Sequence, residues 1–236
     1  MLSTAEQQAT TQSSTTATPT YPNGRDRIQQ KGIKVVFVGP NDGKTSMIVS
    51  YFENSFDFLG ERTALHDGYI PTTADSRTFN IQIDGKAVVG VTEDTSSICT
   101  EEFIQMRPYA YQNAEVVVVV FAIDKKKSLQ SAKEVWVPEV RQILPNIPII
   151  LVGTKSDKRP VNDGGIGTPT GGRQLISKAA AQKAGKSIKG VVGTMECSSR
   201  TQSGLHAVFD AAIRAAVAHR AAAAKKTTQR RRCTVS

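Results

Sequence analysis

Short β-branched runs alternate with helix-like stretches through most of this 236-residue chain. The run KVVFVG at 34–39 ends in a glycine-rich turn, and residues 44–52 follow with helical composition, which predicts strand, loop, helix. Residues 76–83 alternate, with Phe79, Ile81 and Ile83 on one face. Asp84-Gly85 then signals a hairpin turn, and residues 86–92 return as a strand. The continuous apolar run at 115–123 is the pattern of a strand buried on both faces. Residues 128–143 read as a helix that Pro138 bends or breaks, and 147–153 as another buried strand. Five Gly and two Pro among residues 160–174 predict a loop. A short helix over 178–184 and a last strand over 191–197 precede a C-terminal helix with Leu205, Val208, Phe209, Ala212, Ile213 and Val217 on one stripe. The alternation predicts an α/β fold: a mostly parallel six-stranded sheet with one antiparallel edge strand and helices on both faces.

Composition divides the chain into three parts. Half of the first 20 residues are Ser or Thr, with Leu2 the sole large aliphatic among them. Such a segment buries too little apolar surface to offset the entropy of ordering, so residues 1–30 are expected to be a disordered extension. Residues 31–222 form one domain, and 223–236 a basic tail. The net charge of +9 is uneven: residues 158–190 carry +6, 221–236 carry +5, and the rest sums to −2. A basic stripe across a folded face, the footprint of nucleic-acid binding, is not expected, and nucleic acid is not among the expected partners. Cys99, Cys197 and Cys233 are too few and too scattered for a disulfide framework or a zinc site, which fits a reducing compartment. The longest apolar run, residues 116–123, is far short of a membrane span, and no apolar secretory signal opens the chain.

In such a sheet ligands sit at the carboxyl ends of the strands. After the first strand comes Gly39-Pro40-Asn41-Asp42-Gly43-Lys44-Thr45-Ser46. A loop of this kind wraps N–H groups around phosphates, aims a helix N-terminus at them, and supplies a Lys for phosphate charge and a hydroxyl for Mg²⁺. An ordinary strand-to-helix turn is the competing reading, but Gly-Lys-Thr opening the helix is uncommon in one. A later strand end gives Gly153-Thr154-Lys155-Ser156-Asp157. A carboxylate there can accept two N–H bonds from guanine, which adenine's edge does not offer. The last strand adds Glu196-Cys197-Ser198-Ser199.

Taken together, residues 31–236 resemble the small GTPases, and within them the Rho/Rac branch. Besides these loops, Tyr69-Ile-Pro-Thr72, Asp94-Thr95, Arg107-Pro108, Trp136-Val-Pro-Glu-Val140, the run PIILVGTK at 148–155 and Thr201-Gln-Ser-Gly204-Leu205 match Rho/Rac-like stretches in order. The resemblance implies a P-loop NTPase G domain that binds GTP or GDP with Mg²⁺. Gly39, Asp42, Gly43, Lys44, Thr45 and Ser46 would then surround the phosphates. Thr45 and Thr72 would ligate Mg²⁺, with Asp94 reaching it through water. Thr154, Lys155 and Asp157 would read guanine, with Ser198 and Ser199 behind the base. Phe56 matches the aromatic that packs on the base edge; a core residue at a helix end is the alternative. Effectors, exchange factors and GDI-like proteins are the implied partners, and signalling to the cytoskeleton the implied setting.

The departures shape the expectation as much as the matches. Three residues separate Gly39 from Gly43 where the family has four, Pro40 removes an N–H donor, and Asp42 brings a negative charge beside the phosphates. After Asp94-Thr95 the family reads Ala-Gly-Gln, whereas this chain reads Ser96-Ser97-Ile98. Loss of the water-positioning Gln slows a reaction whose intrinsic rate is already on the order of 10⁻⁴ per second, and nothing argues for nearby Glu101 as a substitute. An insertion around residues 57–67 lengthens the first switch. Glu93 stands where the branch has Trp, and Gly/Pro-rich sequence replaces its extra helix near 160–174.

The chain ends Lys225-Lys226, Arg230-Arg231-Arg232 and Cys233-Thr-Val-Ser236. Cysteine fourth from the end, before Val and a terminal Ser, is a prenylation signal of the farnesyl-preferring kind. A prenyl chain and a basic run are each weak anchors that together hold a protein reversibly on an anionic leaflet. The expected location is the cytoplasmic face of the plasma membrane or endomembranes, with a cytosolic pool. Two readings of function stand: a membrane-anchored guanine-nucleotide switch with impaired hydrolysis, and a pseudo-GTPase scaffold that binds nucleotide poorly or not at all. An unrelated P-loop ATPase or kinase explains Gly43-Lys44-Thr45 but not Lys155-Ser-Asp157.

Overall fold

The computed structural model describes residues 32–56, 75–95, 101–159 and 175–233, with the side chains of 75, 101–104 and 226–233 outside the description. The N-terminal extension, Thr72, Ser96–Ser97–Ile98, the 57–67 insertion and the 160–174 loop therefore lie outside it.

Six strands form one sheet: β1 (Ile33–Val38), β2 (Asp75–Ile83), β3 (Lys86–Asp94), β4 (Val116–Ala122), β5 (Ile149–Thr154) and β6 (Val191–Glu196). Their order is β2-β3-β1-β4-β5-β6, with β2 antiparallel to β3 and every other pair parallel. The strand order turns at β1, between β3 and β4, so the crevice beyond its carboxyl end is where loops diverge and ligands fit.

The valine run is buried on both faces because the pleat sends its side chains alternately to two cores. Val116, Val118 and Val120 join Val35 and Phe37 in one core, closed by α1 (Lys44–Glu53) and α5 (Leu205–Cys233). Val117, Val119 and Phe121 join Val36 and Val38 in the other. There α2 (Glu101–Ala110) delivers Tyr111 just past its end, α3 (126–143) contributes Trp136, Val137 and Val140, and α4 (Lys178–Ser187) contributes Ala181. In the first core Tyr51 and Phe209 stack with ring centroids 3.7 Å apart, and Phe79 meets Phe209 edge-on at 5.6 Å.

The structure refines these readings. Pro138 does not end α3, but the regular helix is interrupted just before it. The helix widens into a π turn at Ala132–Trp136, where Val137 N–H reaches back to the Ala132 carbonyl, and it resumes at Val137–Ile143. The turn absorbs the slip just before the residue that cannot donate. On α5, Ala216 faces the core while Val217 is 38 % exposed, so the stripe drifts off the predicted position. The helix also continues through the basic segment to Cys233.

Helix α2 has no counterpart in the periodicity. It carries Pro108 inside it and leaves Met106 and Tyr109 exposed, so no apolar stripe marks it. Its anchors are polar and aromatic instead. Arg107 pairs with Glu139 at 3.2 Å and lies 4.6 Å from the Trp136 ring centroid, and Tyr111 donates to Glu139 at 2.7 Å.

Candidate functional site

The loops after β1, β4, β5 and β6 meet the end of β3 at one edge of the sheet. The first is the three-residue turn between Gly39 and Gly43. Gly39 has φ 138°, and a Cβ there would sit 2.3 Å from the Val120 carbonyl oxygen, so only glycine lets the chain turn this close to β4. Gly43, at φ 105°, opens α1 from the left-handed region. Between them Asp42 N–H donates to the Pro40 carbonyl at 2.7 Å, so that amide is spent within the turn. The Asp42 carboxylate is buried and points to Lys125, which donates to it at 2.7 Å. The negative charge expected beside the phosphates is thus matched by a cation from the turn after β4.

Lys44, the first residue of α1, is buried and donates to the carbonyls of Gly39 at 2.8 Å and Pro40 at 3.1 Å, which folds its ammonium over the loop. Thr45 follows and donates to Asp94 Oδ2 at 2.6 Å, joining the start of α1 to the end of β3. A hydroxyl and a carboxylate this close, both hard oxygen donors, fit a small divalent cation such as Mg²⁺ that keeps most of its waters. Next to them Thr95 Oγ1 donates to the Phe37 carbonyl at 2.8 Å and pins the chain leaving β3 to β1. Ser46 is half-buried one residue along α1. Phe56 is half-buried just beyond the α1 terminus at Asn54.

At the end of β5, Thr154 is buried and donates to the Asp42 carbonyl at 2.6 Å. The base-reading and phosphate loops are therefore one hydrogen-bonded unit. Lys155 takes a left-handed conformation, φ 64°, which turns the chain sharply into the helical turn Ser156–Lys158. On that turn Asp157 is exposed toward solvent, while the buried Ser198 hydroxyl donates to its Oδ1 at 2.6 Å. The bond fixes the carboxylate's orientation and leaves lone pairs on both oxygens, enough to accept two N–H bonds from a donor edge such as guanine's. Ser199, also buried, has its carbonyl capped by Gln202 at 2.7 Å. Cys197 lies beneath with its Sγ 3.5 Å from Met47 Sδ; burial first, and the Glu196 charge second, push its thiol up to about 12.

Two groups of site residues escape motif reading. Arg159 pairs with Glu196 at 2.6 Å, clamping the end of the base-reading loop to β6. Asp124, directly after β4, pairs with Lys158 and lies 3.6 Å from Lys155 Nζ. Burial pushes the Asp124 carboxyl up, but the Lys158 hydrogen bond and the charges of Lys155 and Lys158 outweigh it and hold it below the usual range. The available signal was position alone: an acid and a base at the carboxyl end of a buried strand. Cys233 ends α5, and its side chain lies outside the described residues.

The site therefore assembles a buried lysine over a glycine-flanked turn, a paired hydroxyl and carboxylate, and an oriented carboxylate tied back to the same turn. The family model described as the Ras family matches residues 34–218, from β1 well into α5. The chain belongs to the Ras family of small GTP-binding proteins.

Proposed function

We propose that this chain is a Rho/Rac-like guanine-nucleotide switch, held on membranes by its C-terminus, whose GTP hydrolysis is impaired. The observation that carries nucleotide binding is the 2.6 Å bond from Ser198 to Asp157, on a loop that Thr154 ties to Asp42 at 2.6 Å. Asp157 accepts the guanine donors, Lys44 supplies positive charge to the phosphates, and Thr45 with Asp94 holds the metal. When bound, Mg²⁺ adds the charge that neutralises the β- and γ-phosphate oxygens. Support for slow hydrolysis is the sequence Ser96-Ser97-Ile98 after Thr95, which has neither the glycine nor the glutamine of active members. Support for anchoring is the order of the C-terminus, Lys225-Lys226, Arg230-Arg231-Arg232 and Cys233. Placement on the cytoplasmic face of a membrane, and recognition by effectors, exchange factors and GDI-like proteins, follow from the same reading.

One observation favours a second reading, a scaffold that binds nucleotide poorly. Asp42 N–H donates to Pro40 rather than outward, so the short loop offers the phosphates one amide fewer.

The test is to purify the full-length protein, denature it, identify and count the released nucleotide, and titrate GTP with and without Mg²⁺. Stoichiometric GTP supports the switch with slow hydrolysis, and stoichiometric GDP rejects the hydrolysis part. An empty protein that ignores added GTP supports the scaffold. In cells, Cys233→Ser moves the protein from membranes to the soluble fraction if the C-terminus is the anchor.

A further inference from the structure

The turn that leaves β4 carries opposite charges at adjacent positions, and each goes to a different loop of the site. Lys125 reaches the phosphate loop and pairs with Asp42 at 2.7 Å. Asp124 reaches the base-reading loop and pairs with Lys158 and, at 3.6 Å, with Lys155. In both pairs the acid is buried and the base is accessible: the Asp42 and Asp124 side chains are 3 % and 4 % exposed, those of Lys125 and Lys158 51 % and 44 %. The turn is itself held tightly. Lys125 N–H donates to the Ala122 carbonyl at 3.2 Å, Ser128 N–H to the Lys125 carbonyl at 3.0 Å, and Ala122 N–H to Ser128 Oγ at 2.9 Å.

We infer that Asp124 and Lys125 are a positioning pair that locks the phosphate loop to the base-reading loop and so sets how long a nucleotide stays bound. This rests on the reading of the site as a guanine-nucleotide site and extends it to residues outside the recognised motifs. A three-residue phosphate loop has little backbone to wrap a ligand with, and its shape depends on what braces it from outside. Thr154 braces it from one side through the Asp42 carbonyl, and Lys125 from the other through the Asp42 carboxylate. Lys125 also cancels a buried negative charge on the loop that must face polyphosphate. Without it the carboxylate is left unpaired beside the ligand's own charge, where low polarity magnifies repulsion. Asp124 performs the matching task for the base-reading loop, restraining two lysines that flank Asp157. Neither residue touches the base or the phosphates in this assignment; both act through residues that do.

The experiment is nucleotide dissociation from the full-length protein, loaded with a fluorescent GDP analogue and chased with excess GDP. The proteins are wild type, K125M, K125R, D42N/K125M and D124N, with K158M replacing D124N if that buried substitution prevents folding. Removing either arm raises the dissociation rate tenfold or more. K125R, which keeps the charge and the brace, recovers most of the loss, whereas D42N/K125M, which removes the unpaired acid but leaves the loop unbraced, recovers only part of it. Rescue by K125R beyond that of D42N/K125M separates bracing from charge cancellation alone. K125M releasing GDP at the wild-type rate, or D42N/K125M recovering fully, overturns the inference while leaving the nucleotide site intact. A wild-type protein that takes up no nucleotide overturns the underlying reading and this inference with it.

Discussion

The Thr154 hydroxyl donates to the Asp42 carbonyl at 2.6 Å across 112 positions of sequence, and that bond makes two loops into one site. Both residues are buried, so the carbonyl has no water to turn to when the hydroxyl is removed. Thr154→Val, which keeps the shape and loses the donor, is expected to destabilise the fold by about 1–3 kcal/mol. It also speeds nucleotide release, whereas Thr154→Ser retains both properties. Urea unfolding and GDP dissociation measured on the same preparations check this.

Asp157 is oriented by Ser198 through Oδ1, and its two oxygens keep lone pairs enough to accept two more bonds. Asp157→Ala is expected to weaken GDP binding by about 100-fold, two hydrogen bonds to a charged acceptor at roughly 1.5–3 kcal/mol each less partial replacement by water. The sharper readout is selectivity. Wild type prefers GDP to IDP, which lacks the exocyclic amine, and Asp157→Ala binds the two alike. Retained preference in the variant would move base reading elsewhere. Ser198→Ala lies between wild type and Asp157→Ala.

The amide of Asp42 is turned inward to Pro40 at 2.7 Å because three residues must close the gap between Gly39 and Gly43. One glycine inserted between Pro40 and Asn41 relaxes that turn and frees the amide for an anion. GDP affinity measured by isothermal titration is expected to rise by about tenfold, the worth of one charge-assisted hydrogen bond. Unchanged affinity shows that the short loop is not what limits binding.

Alkaline stability has a defined sign. The ordinary thiol value is 9.0, and burial pushes Cys197 up to about 12. Between these values the unfolded chain has lost a proton that the folded one keeps, so stability falls as pH rises above about 9. Burial, with the nearby Glu139 carboxylate, likewise raises Tyr111 above its ordinary 10.0, which adds a decline beginning higher. Cys197→Ala removes the earlier part of the slope while shifting stability equally at lower pH. Urea midpoints at pH 8, 9 and 10 show it, and an unaltered slope in the variant would refute the assignment. In the native protein Cys197 resists alkylation at pH 8, since almost none of it is thiolate.

Local sequence determined the strands, because a continuous valine run and an alternating hairpin bury their side chains in only one arrangement each. Gly39 and Gly43 were legible too, since the left-handed backbone there favours glycine, and Lys44, Thr45 and Lys155-Ser156-Asp157 were read from side chains suited to phosphate, metal and base at strand ends. Helix α2 was not, because its anchors Arg107 and Tyr111 meet Glu139 and Trp136 on a distant helix and leave no periodic trace. The course of α3 past Pro138 depended on a π turn that compensates within the helix, which a residue-by-residue rule does not foresee.

What only the tertiary structure decided is how the site's charges pair. Asp42 read alone is a repulsive charge on a phosphate loop; folded, it is the partner of Lys125, 83 residues later. Asp124 and Lys125 side by side look like an ordinary charged turn, yet the parallel sheet brings the ends of β1, β4 and β5 together and sends one to each loop. Sequence fixes which charges a chain carries, but their partners are set by strand order, which acts across distances that no local pattern spans.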